Sequence, residues 1–240
     1  MGIFRRLVTS IVNQLDCTHL LAACDLPGGN FRHQLSGDYK AQRSPAPDGM
    51  SDFIAAATDA IRAAGIPLLS APGFEADDVL ATIACKMRPG HELVIVSSDR
   101  DLAALVSEQV RLLIVKSGGN HQLIGPQNAS DVFGVSPALI TDYKALVGDS
   151  SDNISGVTGI GPKTAVKLLH EHGSLDAILA NAHTIAGAAG KKLTNGGAAQ
   201  AQLSRQLAAM RSDVPITLDA AAAVWTAEKR TAFSVGQPAS

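Results

Sequence analysis

Three short segments of this 240-residue chain crowd carboxylates together. Glu75-Ala76-Asp77-Asp78 sets three acids at the start of a helical pattern. One or two would complement the helix dipole as caps; three within four residues exceed that need. Ser98-Asp99-Arg100-Asp101 closes an apolar strand with two more, offset so that both can turn toward one ion. Asp101 before Leu102-Ala103-Ala104 would equally well cap the next helix. Gly148-Asp149-Ser150-Ser151-Asp152-Asn153 adds another pair, which alone reads as a solvated turn. It is not an EF-hand loop, because no bidentate Glu follows at the required position. Asp25 ends the apolar run His19-Leu20-Leu21-Ala22-Ala23-Cys24.

Asp25, Glu75, Asp77, Asp78, Asp99, Asp101, Asp149 and Asp152 thus fall at strand ends, helix starts or turns, positions that an alternating sheet brings to one rim. Two carboxylates about 4 Å apart repel by roughly 4 kcal/mol at an effective dielectric of about 20. Several such pairs call for divalent cations, and hard oxygen ligands without His or Cys favour magnesium or manganese. Two ions about 3.5–4 Å apart can activate water and stabilise the leaving oxygen of a phosphodiester. The acids are therefore expected to be ligands rather than general bases.

A second set of residues suits phosphate. Gly156-Val157-Thr158-Gly159-Ile160-Gly161-Pro162-Lys163-Thr164 reads as a glycine hairpin that opens a helix at Pro162, whose ring suits the first turn. Backbone N–H groups at such a start, with Lys163 beside them, make a phosphate seat. The spacing of a Walker A loop is absent, and the bland reading is a helix–turn–helix corner. Upstream, Arg32, Lys40 and Arg43 could meet phosphates, while Tyr39 offers a face on which an unpaired base could stack. Read blandly, this is a solvated loop.

The elements that must position these groups follow from periodicity. Residues 19–24, 66–70, 93–98 and 110–116 read as strands; residues 51–64, capped by Ser51 and stopped by Gly65, and 77–87 read as helices, with a short helix at 102–106. Strands alternating with helices predict an α/β fold, a parallel sheet with helices on both faces, whose functional groups gather at the carboxyl ends of strands. From Ser136 the pattern is helical only: residues 138–147, a turn-rich stretch at 148–162, a helix over 163–171, then helices with Gly breaks through Arg211. The expected division is 1–135, 136–215 and a loosely ordered tail at 216–240.

Composition sets bounds. The chain is 46% hydrophobic and 18% charged, enough for one or two globular domains. Three cysteines without paired spacing argue against a disulfide framework, and a reducing cytoplasm is the expected compartment. The Arg-bearing N-terminus reads as a surface helix. The net charge of −2 averages over acidic and basic clusters that suit bound cations beside a phosphate track.

In order and spacing, CDLPGGNFRHQLSGDYKAQRSPAPD, GFEADDVLATIA, SSDRDLAALV and GDSSDNISGVTGIGPKTAVKLL resemble the 5′-nuclease domain of bacterial DNA polymerase I and stand-alone 5′→3′ exonucleases and flap endonucleases. The resemblance covers roughly residues 5 to 215. It implies a PIN-like domain followed by a helix–three-turn–helix (H3TH) subdomain, and two-metal cleavage of DNA at 5′ flaps, nicks or free ends. Its metal ligands fall on the eight acids. Its basic arch falls on Arg32, Lys40 and Arg43, with Lys40 at the scissile phosphate. Its duplex grip falls on Gly159, Ile160, Gly161, Pro162, Lys163 and Thr164. A potassium ion held by backbone carbonyls would fall on Leu146, Val147, Ser155, Val157 and Ile160. A monomer and no membrane partner are expected.

Two departures stand out. The family's opening strand, with its own Asp ligand, is missing before residues 3–15, from a cut, a misplaced start or degeneration; its loss should weaken or abolish cleavage. Ser155 replaces a usual Pro. No polymerase follows, so the expectation is a stand-alone relative or a fragment. The rival readings are a DNA-binding remnant without catalysis and, more remotely, a magnesium phosphohydrolase for small molecules.

Overall fold

The computed structural model describes residues 1–87, 90–116 and 120–236. Along the chain run α1 (Gly2–Leu15), β1 (Ala22–Ala23), α2 (Phe31–Leu35), α3 (Met50–Ala63), β2 (Leu68–Leu69) and α4 (Ala76–Lys86). There follow β3 (Leu93–Ser97), β4 (Val110–Ile114), β5 (Gln122–Ile124), α5 (Ile140–Val147), α6 (Pro162–His172) and α7 (Leu175–Ala180). The chain then forms α8 (Gly187–Lys192), α9 (Ala198–Ala208), α10 (Ala220–Ala223) and α11 (Ala227–Val235). No helix among the described residues is long and apolar enough to cross a membrane.

Two compact units emerge: residues 1–28, 44–79 and from 213 on, and residues 29–43 with 80–212. This division does not follow the expected one at 135/136. The reason lies in the second unit's core, where Leu102, Leu112 and Ile124 belong to the same buried cluster as Ile140, Leu146 and Leu169. The late strands and the helices after Ser136 therefore share one interior.

The first unit pairs β1 with β2 in parallel, Ala22 opposite Leu68 and Ala23 opposite Leu69. Both strands are shorter than the apolar runs suggested. Beside them, α1 turns Phe4, Val8 and Val12, spaced one turn apart, toward Trp225, Ala232 and Phe233. Small Ala60 and Ala64 in and after α3 allow close packing in the same cluster. Gly49, not Ser51, sits at the cap of α3, so Ser51 lies inside its first turn.

The tail corrects the sequence reading. Instead of being loose, its described part, 216–236, supplies α11 and packs Trp225 edge-on to Phe233, ring centres 6.4 Å apart, while residues 237–240 lie outside the described residues. Its backbone joins the start of the β1 segment, with Leu20 N–H donating to the Ala223 carbonyl at 2.8 Å and Trp225 N–H to Thr18 at 2.8 Å. An Ala-rich composition concealed two large aromatic anchors.

In the second unit β3 and β4 are parallel from Leu93 opposite Val110 to Ser97 opposite Ile114. An unpredicted β5 adds antiparallel to β4, with Leu112 opposite Ile124. A 3₁₀ helix, Asp101–Leu105, follows β3 and is anchored by fully buried Leu102. Burying that side chain stabilises the turn by roughly 2 kcal/mol and fixes where Asp101 begins it.

Candidate metal centre and nucleic-acid interface

The eight acids divide four and four between the compact units, and among the described residues no three His, Cys, Asp or Glu side chains are gathered to hold a metal ion. The expected meeting at a single rim is thus not a finding of this structure. Asp25, Asp78, Asp99, Asp101, Asp149 and Asp152 are instead engaged by amides, hydroxyls or cations close to them.

In the first unit Asp25, just past β1, accepts a hydrogen bond from the Ala76 N–H at 2.7 Å, at the first residue of α4. Asp78 is fully buried and its Oδ2 accepts from Glu75 N–H at 3.0 Å. Capping therefore accounts for part of the Asp78 carboxylate, the bland role set against the ligand role in the sequence. Glu75 and Asp77 are half-buried beside it.

The second unit shows convergence. Asp99 Oδ1 accepts from the Asp101 N–H at 2.8 Å, which turns the chain so that Asp101 faces α5. There Lys144, only 7% exposed, places its ammonium against Asp101 and at 2.5 Å from Asp149 Oδ2. Asp149 Oδ1 also accepts from the Ser151 amide at 2.8 Å and hydroxyl at 2.6 Å. Burial alone pushes the Asp149 carboxyl up, but hydrogen bonds from Lys144 and Ser151 outweigh it and hold it below its ordinary value. For Asp101 burial prevails over Lys144, and its carboxyl stands above the ordinary range. Burial pulls Lys144 down, yet the two carboxylates outweigh that and hold its ammonium above its ordinary value. Two acids from separate elements thus converge on one cation, and their hard oxygen donors suit a divalent ion. Sequence reading missed Lys144. Its signal was a lysine one turn after Ile140 on the buried face of α5, just before a carboxylate pair.

Asp152 has a different environment. Its Oδ1 accepts from Arg43 Nη2 at 2.6 Å and its Oδ2 from the Tyr39 hydroxyl at 3.0 Å, with Lys40 Nζ at 3.9 Å. Two expectations are corrected here. Tyr39 is 2% exposed and packs with Ile154 and Leu207, so its ring has no face left for a base. Arg32 is 2% exposed and donates to the carbonyls of Leu207 and Ala209 at 2.9 and 2.7 Å, a fold contact rather than a phosphate contact. A planar guanidinium with five donors is well matched to such carbonyl groups.

The glycine hairpin takes the expected form. Gly148 and Gly156 have positive φ, and a Cβ on Gly156 would lie 2.3 Å from the Gly148 nitrogen, so two backbones touch where only glycine fits. Asp149 and Ile154 close the turn with reciprocal backbone bonds of 2.7 and 2.8 Å. The Leu146 carbonyl accepts from Val157 N–H at 2.8 Å, and the Val157 carbonyl from Ile160 N–H at 2.9 Å. α6 starts with Pro162 after Gly161, with no side chain capping it. Lys163 is exposed there, whereas the Ile160 side chain is buried and can offer only backbone. Lys192 of α8, another residue that sequence reading passed over, donates to the Gly159 carbonyl at 2.8 Å and adds a charge at the hairpin.

Comparison with known proteins decides the family. A model described as the 5′-3′ exonuclease N-terminal resolvase-like domain matches residues 1–134, and one described as the 5′-3′ exonuclease C-terminal SAM fold matches residues 135–231. The chain belongs to the 5′-3′ exonuclease family. It is 40% identical over 179 residues to a 5′-3′ exonuclease of Aquifex aeolicus, covering 74% of this chain and 61% of that protein. To DNA polymerase I of Bacillus caldotenax it is 36% identical over 217 residues, 90% of this chain but 25% of the polymerase. Among solved structures, the bacteriophage T5 D15 flap endonuclease, in a complex with DNA and metal ions, superposes with a TM-score of 0.69. That match covers 85% of this chain and 78% of that one at 22% identity, which speaks for the fold.

Proposed function

We propose that this member of the 5′-3′ exonuclease family is a structure-specific 5′-nuclease that hydrolyses DNA phosphodiesters at 5′ flaps, nicks or free 5′ ends. The single observation that carries the reading is the convergence of Asp101 and Asp149 on one buried cation, on a chain that the family models match over residues 1–231. Asp25, Glu75, Asp77, Asp78, Asp99, Asp101, Asp149 and Asp152 form the proposed ligand set for two divalent ions, magnesium or manganese. Bound there, the ions would activate water as a nucleophile and act as Lewis acids. The T5 enzyme of similar fold was crystallised with DNA and metal ions, which agrees with a metal requirement here.

The chain's own residues do the rest. Lys40 and Arg43 stabilise charge that builds on the scissile phosphate as the water oxygen bonds to phosphorus and the leaving oxygen departs. The region 1–135 acts as the PIN-like part, and 136–215 grips the duplex through the Gly159–Thr164 backbone and Lys163, independent of base sequence. The carbonyls of Leu146 and Val157 each keep a second lone pair, so with Val147, Ser155 and Ile160 they can hold potassium. A monomer working in the cytoplasm fits this role.

A labelled 5′-flap substrate with manganese tests the proposal. The wild-type chain should yield product, and Asp99→Ala with Asp101→Ala should lower the rate at least 100-fold while DNA binding persists. Binding without product by the wild type would instead make the chain a non-catalytic relative. Cleavage by the double variant at the wild-type rate would remove the metal assignment.

A further inference from the structure

Segment 38–43 is held to the turn 150–153 by hydrogen bonds from both sides. Lys40 N–H donates to the Asp152 carbonyl at 3.0 Å, and Asn153 Nδ2 to the Asp38 carbonyl at 2.7 Å. Gln42 Nε2 donates to the Ser150 carbonyl at 2.6 Å, and Arg43 Nε to that of Ser151 at 3.2 Å. Tyr39 and Arg43 share the Asp152 carboxylate.

Two features mark this contact as more than a loop resting on its neighbour. Lys40 and Asn153 both have left-handed backbones, φ +57° and +58°. Asn tolerates that region, whereas Lys adopts it only where surrounding contacts hold it there. In addition, the one residue of the segment buried in the protein is Tyr39, immediately before the strained Lys40. Its ring meets His33 edge-on at 5.4 Å and packs on Ile154 and Leu207, which leaves its hydroxyl aimed at Asp152.

The geometry points to Tyr39 as a positioning residue for the nuclease reaction: its buried hydroxyl, through Asp152, sets where Lys40 and Arg43 stand. This deepens the proposed function and rests on its assignment of Lys40. A carboxylate has about four lone-pair sites, so Asp152 can take the tyrosine and the arginine and still face an ion. The tyrosine then orients both a ligand and the basic pair, as outer hydrogen bonds do in metal sites generally.

Tyr39→Phe removes the hydroxyl and keeps the ring. Measured by single-turnover cleavage of a 5′-flap substrate with manganese, it should lower the rate about tenfold, with flap affinity within about twofold of wild type. Its melting temperature should match wild type. In a Lys40→Ala background the same change should cost clearly less than it does in wild type, because one of the groups it positions is gone while Arg43 and Asp152 remain. An unchanged rate for Tyr39→Phe, a loss matched by a fall in melting temperature, or an equal loss with and without Lys40 would each overturn the inference. If Lys40→Ala alone cleaves as fast as wild type, the assignment of Lys40 fails first and takes the inference with it. If Lys40→Ala is slow but Tyr39→Phe is not, only the role of Tyr39 falls.

Discussion

Lys144 shows how one residue can organise a site. Its ammonium joins Asp101 and Asp149, drawn from different elements, and is itself almost excluded from water. Removing one partner of such a group leaves charge buried and unpaired. Lys144→Met should therefore destabilise the protein by about 3 kcal/mol, read by urea unfolding in a chelator. Manganese should restore more stability to the variant than it adds to wild type; equal increments would mean the lysine does not share a locus with the ion. Titration gives a second handle. The folded Asp149 carboxyl lies below its ordinary value, so its contribution is present above the usual carboxylate range and is lost as pH falls through that range and below. Asp149→Asn should flatten the acid limb of the stability curve in melts between neutral pH and pH of about 3. A limb as steep as wild type would assign the acid sensitivity elsewhere. Asp101, shifted the other way, works against this trend, so the two replacements should bend the curve in opposite senses.

At the scale of elements, the hairpin between α5 and α6 is a tightly constrained piece of backbone. The Cβ of an alanine at Gly156 would fall 2.3 Å from the Gly148 nitrogen and 2.6 Å from the Val147 carbonyl oxygen, at a positive φ. Neither atom belongs to a flexible side chain. Gly156→Ala should cost more than about 2 kcal/mol of stability and weaken duplex binding with it. Retained binding with lost stability would separate the turn from the DNA grip. These glycines, Pro162 and the exposed Lys163 were legible in the sequence because the demands on them are local: a turn, a first helical residue, a charge. Tyr39 and Arg32 were misread for the opposite reason. Whether an aromatic or a guanidinium faces solvent depends on partners such as Leu207, more than 160 positions away, which no local pattern reports.

For the whole molecule, the C-terminal residues change the picture most. Trp225, the only tryptophan of the chain, and Phe233 lie in the first unit's core with Val12 and Ala60. Trp225→Ala should cost about 3–5 kcal/mol, checked by circular dichroism during urea unfolding. A change under about 1 kcal/mol would mean the tail is dispensable to that core. In wild type, Trp225 fluorescence should follow unfolding of the first unit, and far-ultraviolet circular dichroism that of both.

The amino-acid sequence by itself determined the alternating α/β pattern, the helical second part, the hairpin and the identity of the carboxylates, because each depends on spacing within a few turns or on residue chemistry. Tertiary structure alone decided that the late strands share a core with the helices, that the tail closes the first unit, and that Lys144 is the cation between Asp101 and Asp149. Those outcomes come from side chains distant in the chain competing for the same buried volume or the same charge. A local pattern names the groups that must be buried or paired; only the folded chain selects the partner.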